Sequence, residues 1–277
     1  AIFLTVFSAL PVALVYPFVG VLLWAWISFM SPHREAYDFA TAFPFNFYVA
    51  VTTLGAWLLS TEPKTLPSQI LPALIIAFAA YTSLTTYLAL ESASAYLLWD
   101  MHIKTLALAL VVMGLVNTRL RIQAFLWVIA LSIGYFAVKG GGFVLFTGSA
   151  GSRIFGPAHS IIGDNNNLSL AMVVSLPVLN YLRETSTNTY VKLVCWFAII
   201  MTVIAVVGTY SRGGLVGLIV VGLAFFILAK QKVATLVVAS VIIFGMVNFA
   251  PEEWKDRMVT TQSYEKDSSA EGRLEAW

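Results

Sequence analysis

The sequence predicts an all-α polytopic membrane protein, on three observations. Hydrophobic residues make up 59% of the 277 and charged ones 11%, where soluble domains carry about 45–50% and about 25%; the mean hydropathy is +0.85. The apolar residues form runs long enough to cross a hydrocarbon core of about 30 Å as helices. The charged residues collect in short stretches between those runs and in the stretch from Pro251 onward.

Residues 1–30 are almost unbroken hydrophobics with Pro11 and Pro17 inside. A straight helix of that length would overrun the bilayer, so one kinked span is expected, with Trp24 and Trp26 in the aromatic belt near its end. Ser31 to Asp38 reads as a polar loop, 44–60 as the next span, and Glu62, Lys64 and Pro67 as the turn into a third, 69–90. Glu91 to Lys104, with Trp99, Asp100 and His102, reads as an interfacial loop before a short fourth span around 105–116. Arg119 and Arg121 form a basic turn, and the fifth span, 123–138, is expected to end at Lys139-Gly-Gly-Gly142. A glycine-rich connection runs to Asn167, and spans follow over 167–182, 193–208, 213–229 and 233–250. That makes about nine spans in a transmembrane domain, 1–250, followed by a water-exposed tail, 251–277.

Several function classes drop out. The single cysteine, Cys195, allows no disulfide within the chain, and three scattered histidines add no close ligand pair, so neither a metal site nor a cofactor is expected. The net charge of +2 has no dense basic run behind it, which speaks against nucleic acid. No phosphate-binding P-loop and no Gly-x-Ser-x-Gly elbow is present. The first residues lack a basic stretch and a small-residue cleavage site, so no removable signal peptide is read.

Alternating the spans from a cytoplasmic N-terminus puts Lys64, Arg119, Arg121, Arg183, Lys192, Lys230 and Lys232 inside, and Arg34, Lys104, Lys139, Arg153 and Arg212 outside. The excess follows the positive-inside rule weakly. An even number of spans in residues 1–30 would flip the N-terminus and leave the later loops unchanged.

Alternation also brings three features to one face: Arg153 with Gly163-Asp-Asn-Asn-Asn167, Ser211-Arg-Gly-Gly214, and Gly272-Arg273. Two spans start there, and helix starts offer unpaired N–H groups and partial positive charge to anions. Asp164, Asn165 and Asn166 suit a helix start, Ser211 stands before the next, and Gly213 and Gly214 let a ligand approach the backbone. Arg153, Arg212 and Arg273 would complete a cationic site, since the guanidinium fork grips phosphate oxygens in pairs. Each residue also has a bland reading: Asp164 as a cap alone, Arg212 snorkelling to headgroups, Arg273 as a solvated charge, His159 as an exposed loop residue. His33 and His102 carry less functional weight than His159.

Arg153-Ile-Phe-Gly-Pro157 leading into Gly163-Asp-Asn-Asn166, then Thr209-Tyr-Ser-Arg-Gly-Gly214, then Ser269-Ala-Glu-Gly-Arg273, resembles the O-antigen ligase and polymerase superfamily. The opening, Pro17-Phe-Val-Gly20, Trp24 and Ser31-Pro-His-Arg34, is similar to the branch of O-glycosylation ligases in exosortase-associated clusters. The resemblance implies a GT-C-type fold of roughly twelve helices, in the bacterial inner membrane with its active site facing the periplasm. It also implies a metal-independent transferase that moves a glycan from undecaprenyl diphosphate to lipid A core or a similar acceptor. Arg212 and Arg273 then take catalytic roles at the diphosphate. Arg153, Asp164, Asn165, Asn166, Ser211, Gly213 and Gly214 take binding roles. The family's general base, a histidine in the large periplasmic loop, is expected beyond Trp277, so these 277 residues alone are expected to be inactive.

Preorganised cations in a poorly hydrated site stabilise the charge on a departing lipid diphosphate, and a base near neutral pH completes the transfer. A polysaccharide polymerase and a protein O-oligosaccharyltransferase would need the same diphosphate end. A transporter with the 139–167 segment lining its path, or a noncatalytic lipid-diphosphate-binding subunit, stands as an alternative class.

Overall fold

The computed structural model describes residues 2–36, 38–64, 66, 67, 70–148, 152–228 and 232. Among them lie α1 (Ile2–Val15), α2 (Pro17–Met30), α3 (Phe45–Leu59), α4 (Ile70–Tyr87), α5 (Ser92–Leu115), α6 (Arg119–Thr147), α7 (Asn165–Thr185), α8 (Thr189–Gly208) and α9 (Arg212–Leu228), and no strand. Helices α4, α5, α6 and α8 are long and apolar enough to cross a membrane. They leave large side chains such as Leu74, Phe78, Leu97, Phe197 and Ile200 exposed, as a lipid solvent permits. The chain is an all-α, multi-pass membrane protein. The ninth expected span, 233–250, and the tail, 251–277, lie outside the described residues, as do Lys230 and Arg273.

The chain divides into two compact units, Ala1–Ser132 and Ile133–Trp277, the boundary falling within α6. In the first unit, residues 1–30 are not the single kinked span expected. Pro17 at the first position of α2 breaks the run, with Tyr16 extended before it. Phe3 at the start of α1 packs its ring 5.1, 4.9 and 4.7 Å from Phe39, Phe43 and Phe45, all beyond the end of α2. The two helices therefore run antiparallel as a hairpin. Each has 14 residues, about 21 Å of helix, short of a full crossing.

Both arms of the hairpin pack on α3, and Val6, Val21, Ile27, Phe45, Val49, Val111 and Leu115 form the core. Trp24 is buried in that core and is no interfacial belt residue; Trp26 is partly buried, its Nε1 donating to Met30 Sδ.

Three further boundaries differ from expectation. Glu91 to Lys104 is no loop: α5 begins at Ser92, with Lys104 and Asp100 paired one turn apart at 2.5 Å and Trp99 Nε1 donating to Ser83 Oγ on α4. Such i,i+4 pairing favours the helix. Arg119 and Arg121 are the first turn of α6, where Thr118 Oγ1 accepts from Arg121 N. Lys139-Gly-Gly-Gly142 does not end that helix either, which continues to Thr147 and stops at Gly148, φ +61°. Lys104, Lys139 and Arg212 thus lie within helices, so three of the five charges assigned to outer loops are not loop charges.

In the second unit, α7 packs on α8 and on α9. It buries Leu168, Met172, Val173, Leu176, Leu179 and Leu182, a helical stripe. Its serines Ser169 and Ser175 are buried as well, so its polar groups stay inside protein and not in lipid. Glycine lets the helices close up. A Cβ on Gly214 would collide with Ser169 of α7, and one on Gly141 would stand 2.7 Å from Met201 O of α8.

Candidate functional site

The candidate site lies where α8 ends and α9 begins, with only three residues between them. Thr209 closes α8, its N–H bonding to Ala205 O and its Oγ1 donating to Val206 O at 2.6 Å. Tyr210 then adopts φ +56°, a left-handed conformation that usually falls to glycine after a helix, and it is buried. Such a residue costs on the order of 1–3 kcal/mol and persists only where its surroundings dictate it. Here they do: Tyr210 N donates to Val207 O, and Thr209 O receives Asn165 Nδ2 at 2.9 Å.

Ser211 follows as the N-cap of α9. Its Oγ accepts from Gly214 N at 3.2 Å and donates to Asn166 Oδ1 at 2.8 Å. Both hydroxyl functions are therefore engaged, which makes Ser211 a structural cap. Arg212 is the first residue of α9 and half-buried, and Gly213 beside it is exposed, with a Cβ there meeting only Ser211 Oγ at 3.9 Å. Gly214 differs from the expectation that both glycines admit a ligand. Its N–H belongs to Ser211, and its missing side chain makes room for Ser169.

At the start of α7, Asp164 Oδ1 accepts from Asn166 N at 2.8 Å and Asn167 N at 3.1 Å. The carboxylate thus supplies the negative charge that this helix start would otherwise draw from a ligand. Asn165 and Asn166 work as struts that tie α7 to the start of α9.

Arg153 is exposed, and the next residue reaches the same turn: Ile154 N donates to Gly208 O at 3.1 Å. The structure thus brings Asp164, Asn165, Asn166, Ser211, Arg212, Gly213 and Gly214 into one bonded neighbourhood, with Arg153 one residue from it. His159 sits apart in an exposed turn closed by Ser160 on Pro157 O, with φ +58°. Thr209, Tyr210, Ile154 and Ser169 complete the site's frame and were not singled out by sequence. Thr209, Tyr210 and Ile154 lay inside recognised motifs and Ser169 did not; the left-handed Tyr210 carries no signal in its residue type.

Residues 1–187 match the model of a family described as a family of unknown function (DUF5935). The chain belongs to that family. Residues 197–277 match the O-antigen ligase family, so this DUF5935 member carries, over a separate stretch, the superfamily that its motifs resemble. That stretch contains the α8–α9 turn with Ser211 and Arg212, and it supports glycosyl transfer of the ligase or polymerase type. No curated protein and no solved structure matches the chain.

Proposed function

We propose that this protein is a glycosyltransferase that moves a glycan from undecaprenyl diphosphate to an acceptor hydroxyl, on lipid A core or a related acceptor, at the periplasmic face of the bacterial inner membrane. The carrying observation is Arg212 in the first turn of α9, whose start is held by the Ser211–Asn166 and Asn165–Thr209 bonds. An arginine and a helix N-terminus at one point favour a bound phosphate, and a site at the end of membrane helices is where a lipid carrier presents its diphosphate. Arg212 binds the diphosphate and stabilises the charge that builds as the sugar leaves, and Arg153 holds it from the neighbouring segment. Arg273, outside the described residues, is assigned the same catalytic role as Arg212. Asp164, Asn165, Asn166 and Ser211 hold the frame, while Gly213 leaves its backbone approachable.

The charge is carried by guanidinium and backbone N–H groups, so the reading is of a metal-independent reaction. In the full-length protein, Arg212→Ala should lower glycan transfer by about 10²–10³-fold, the usual cost of removing one stabilising donor, with expression and membrane insertion intact. Transfer at the unsubstituted rate would overturn the proposal. Polymerase activity at the same site is the second reading, because a polymerase needs the same diphosphate end of its donor as a ligase does. A product ladder on the lipid carrier, in place of a single transferred glycan, would select it.

A further inference from the structure

Ile154 is held on two sides by absences. A Cβ on Gly140 of α6 would stand 3.1 Å from Ile154 Cδ1, 3.2 Å from its Cγ2 and 3.4 Å from Ala205 Cβ of α8; one on Gly208 would stand 2.8 Å from Ile154 Cδ1. The Ile154 side chain therefore packs in a notch between α6 and α8 lined by Gly140, Ala205 and Gly208, which it shares with Val144, whose Cγ2 would collide with a Cβ on Gly208. Its backbone is fixed too, through the bond from Ile154 N to Gly208 O. The residues on either side, Arg153 and Phe155, are exposed. Gly208 immediately precedes Thr209, Tyr210, Ser211 and Arg212, so the segment that carries Arg153 is locked to the turn that presents Arg212.

We propose that Ile154 is the positioning residue of the site, a key whose seat in the Gly140–Ala205–Gly208 notch holds Arg153 at the anion beside Arg212. This rests on the reading of that neighbourhood as a diphosphate site. A loop arginine without such a seat must be ordered by the ligand itself, at a cost in affinity for every side chain immobilised. Misplacement of about 1 Å can cost as much as a hundredfold in rate. An isoleucine suits the task, because its β-branched side chain is stiff and a small-residue notch accepts one rotamer.

The test uses the full-length protein in nanodiscs, with a lipid-linked glycan donor. Ile154→Ala empties the notch and should raise KM for the donor by on the order of tenfold, with a smaller change in kcat, while Ile154→Val stays near the unsubstituted protein. Gly140→Ala fills the notch from its other wall and should raise KM in the same way; adding Ile154→Val, which removes Cδ1, should recover part of the loss. A nitroxide at Arg153→Cys, in a Cys195→Ser background, reads the same key without substrate: Ile154→Ala should increase its mobile fraction and Ile154→Val should not.

An unchanged spectrum in Ile154→Ala overturns the inference, as does an unchanged KM there when Arg153→Ala raises it. Unchanged transfer in both Arg153→Ala and Arg212→Ala would instead overturn the diphosphate reading, and the nitroxide would still decide whether Ile154 fixes its neighbour.

Discussion

Glu62 and Arg121 show how much one ion pair can settle inside a membrane protein's polar end. Arg121 Nη1 and Nη2 meet the two oxygens of Glu62 at 3.0 and 2.5 Å, Nη1 also donates to Leu115 O, and the guanidinium lies 5.2 Å from the Phe18 ring centre. The hydrogen bond from Arg121 holds the Glu62 carboxyl below its ordinary 4.5. A lowered carboxylate contributes stability that is present above its unfolded value and lost as pH falls through the folded one. Glu62→Gln should therefore destabilise the protein in detergent by about 1–2 kcal/mol at neutral pH, and by less in acid; equal loss at both would refute the pairing.

His33 works the other way: it is buried, no protein group reaches its Nδ1, and burial followed by the Arg34 charge pushes it below 6.5. Below that value the unfolded chain binds a proton that the folded loop refuses, so stability should fall as pH drops under about 6.5 and level off at the lower folded value. His33→Leu should remove that slope without loss at neutral pH, as a thermal unfolding series against pH would read, because a buried polar atom without a partner contributes nothing. Asp164 as a cap was legible from residue type. His33 as a buried group was not, since a lone histidine after a span looks the same in sequence whether packed or solvated.

Among the elements, α3 between Pro44 and Ser60 and α9 from Arg212 to Leu228 read to within a residue at both ends, whereas α8 begins at Thr189, four residues before the expected 193. The misreadings share one cause. Polar residues and glycines were taken as breaks, yet a helix packed on protein tolerates both. Asp100 and Lys104 neutralise each other on α5, and Gly140 and Gly141 let α6 lie close to α8. The three glycines at 140–142 give a direct check, because they are chemically identical and face different surroundings. Gly141→Ala would press on Met201 O, which is backbone and cannot rotate away, and should destabilise by about 1–3 kcal/mol. Gly142→Ala meets nothing within 4 Å and should stabilise, by up to about 1 kcal/mol of helix propensity. Thermal melting of the two variants side by side reads the register of α6; equal shifts would mean that the helix does end where the glycines begin.

For the molecule as a whole, composition was enough to establish helices in a membrane, because lipid leaves few backbone solutions. The count of crossings was not legible, since it depends on how residues 1–30 fold, and proline-broken apolar runs suit a kinked span and a hairpin equally. The ring contacts of Phe3 decide for the hairpin. A hairpin returns the chain to the side it came from, whereas one span would leave the two ends on opposite sides of the membrane. Single cysteines at Leu4 and Arg34, in a Cys195→Ser background, should then react with an impermeant maleimide from the same side of intact cells. Within the second unit, cysteines at Arg153 and Gly213 should share a side and one at Thr187 should take the other, because the Ile154–Gly208 bond joins the segment of Arg153 to the end of α8 that leads into α9, and Thr187 lies just before the other end of α8. Labelling of Leu4 and Arg34 from opposite sides would restore the single span. Labelling of Arg153 and Thr187 from one side would undo the shared face on which the diphosphate site depends.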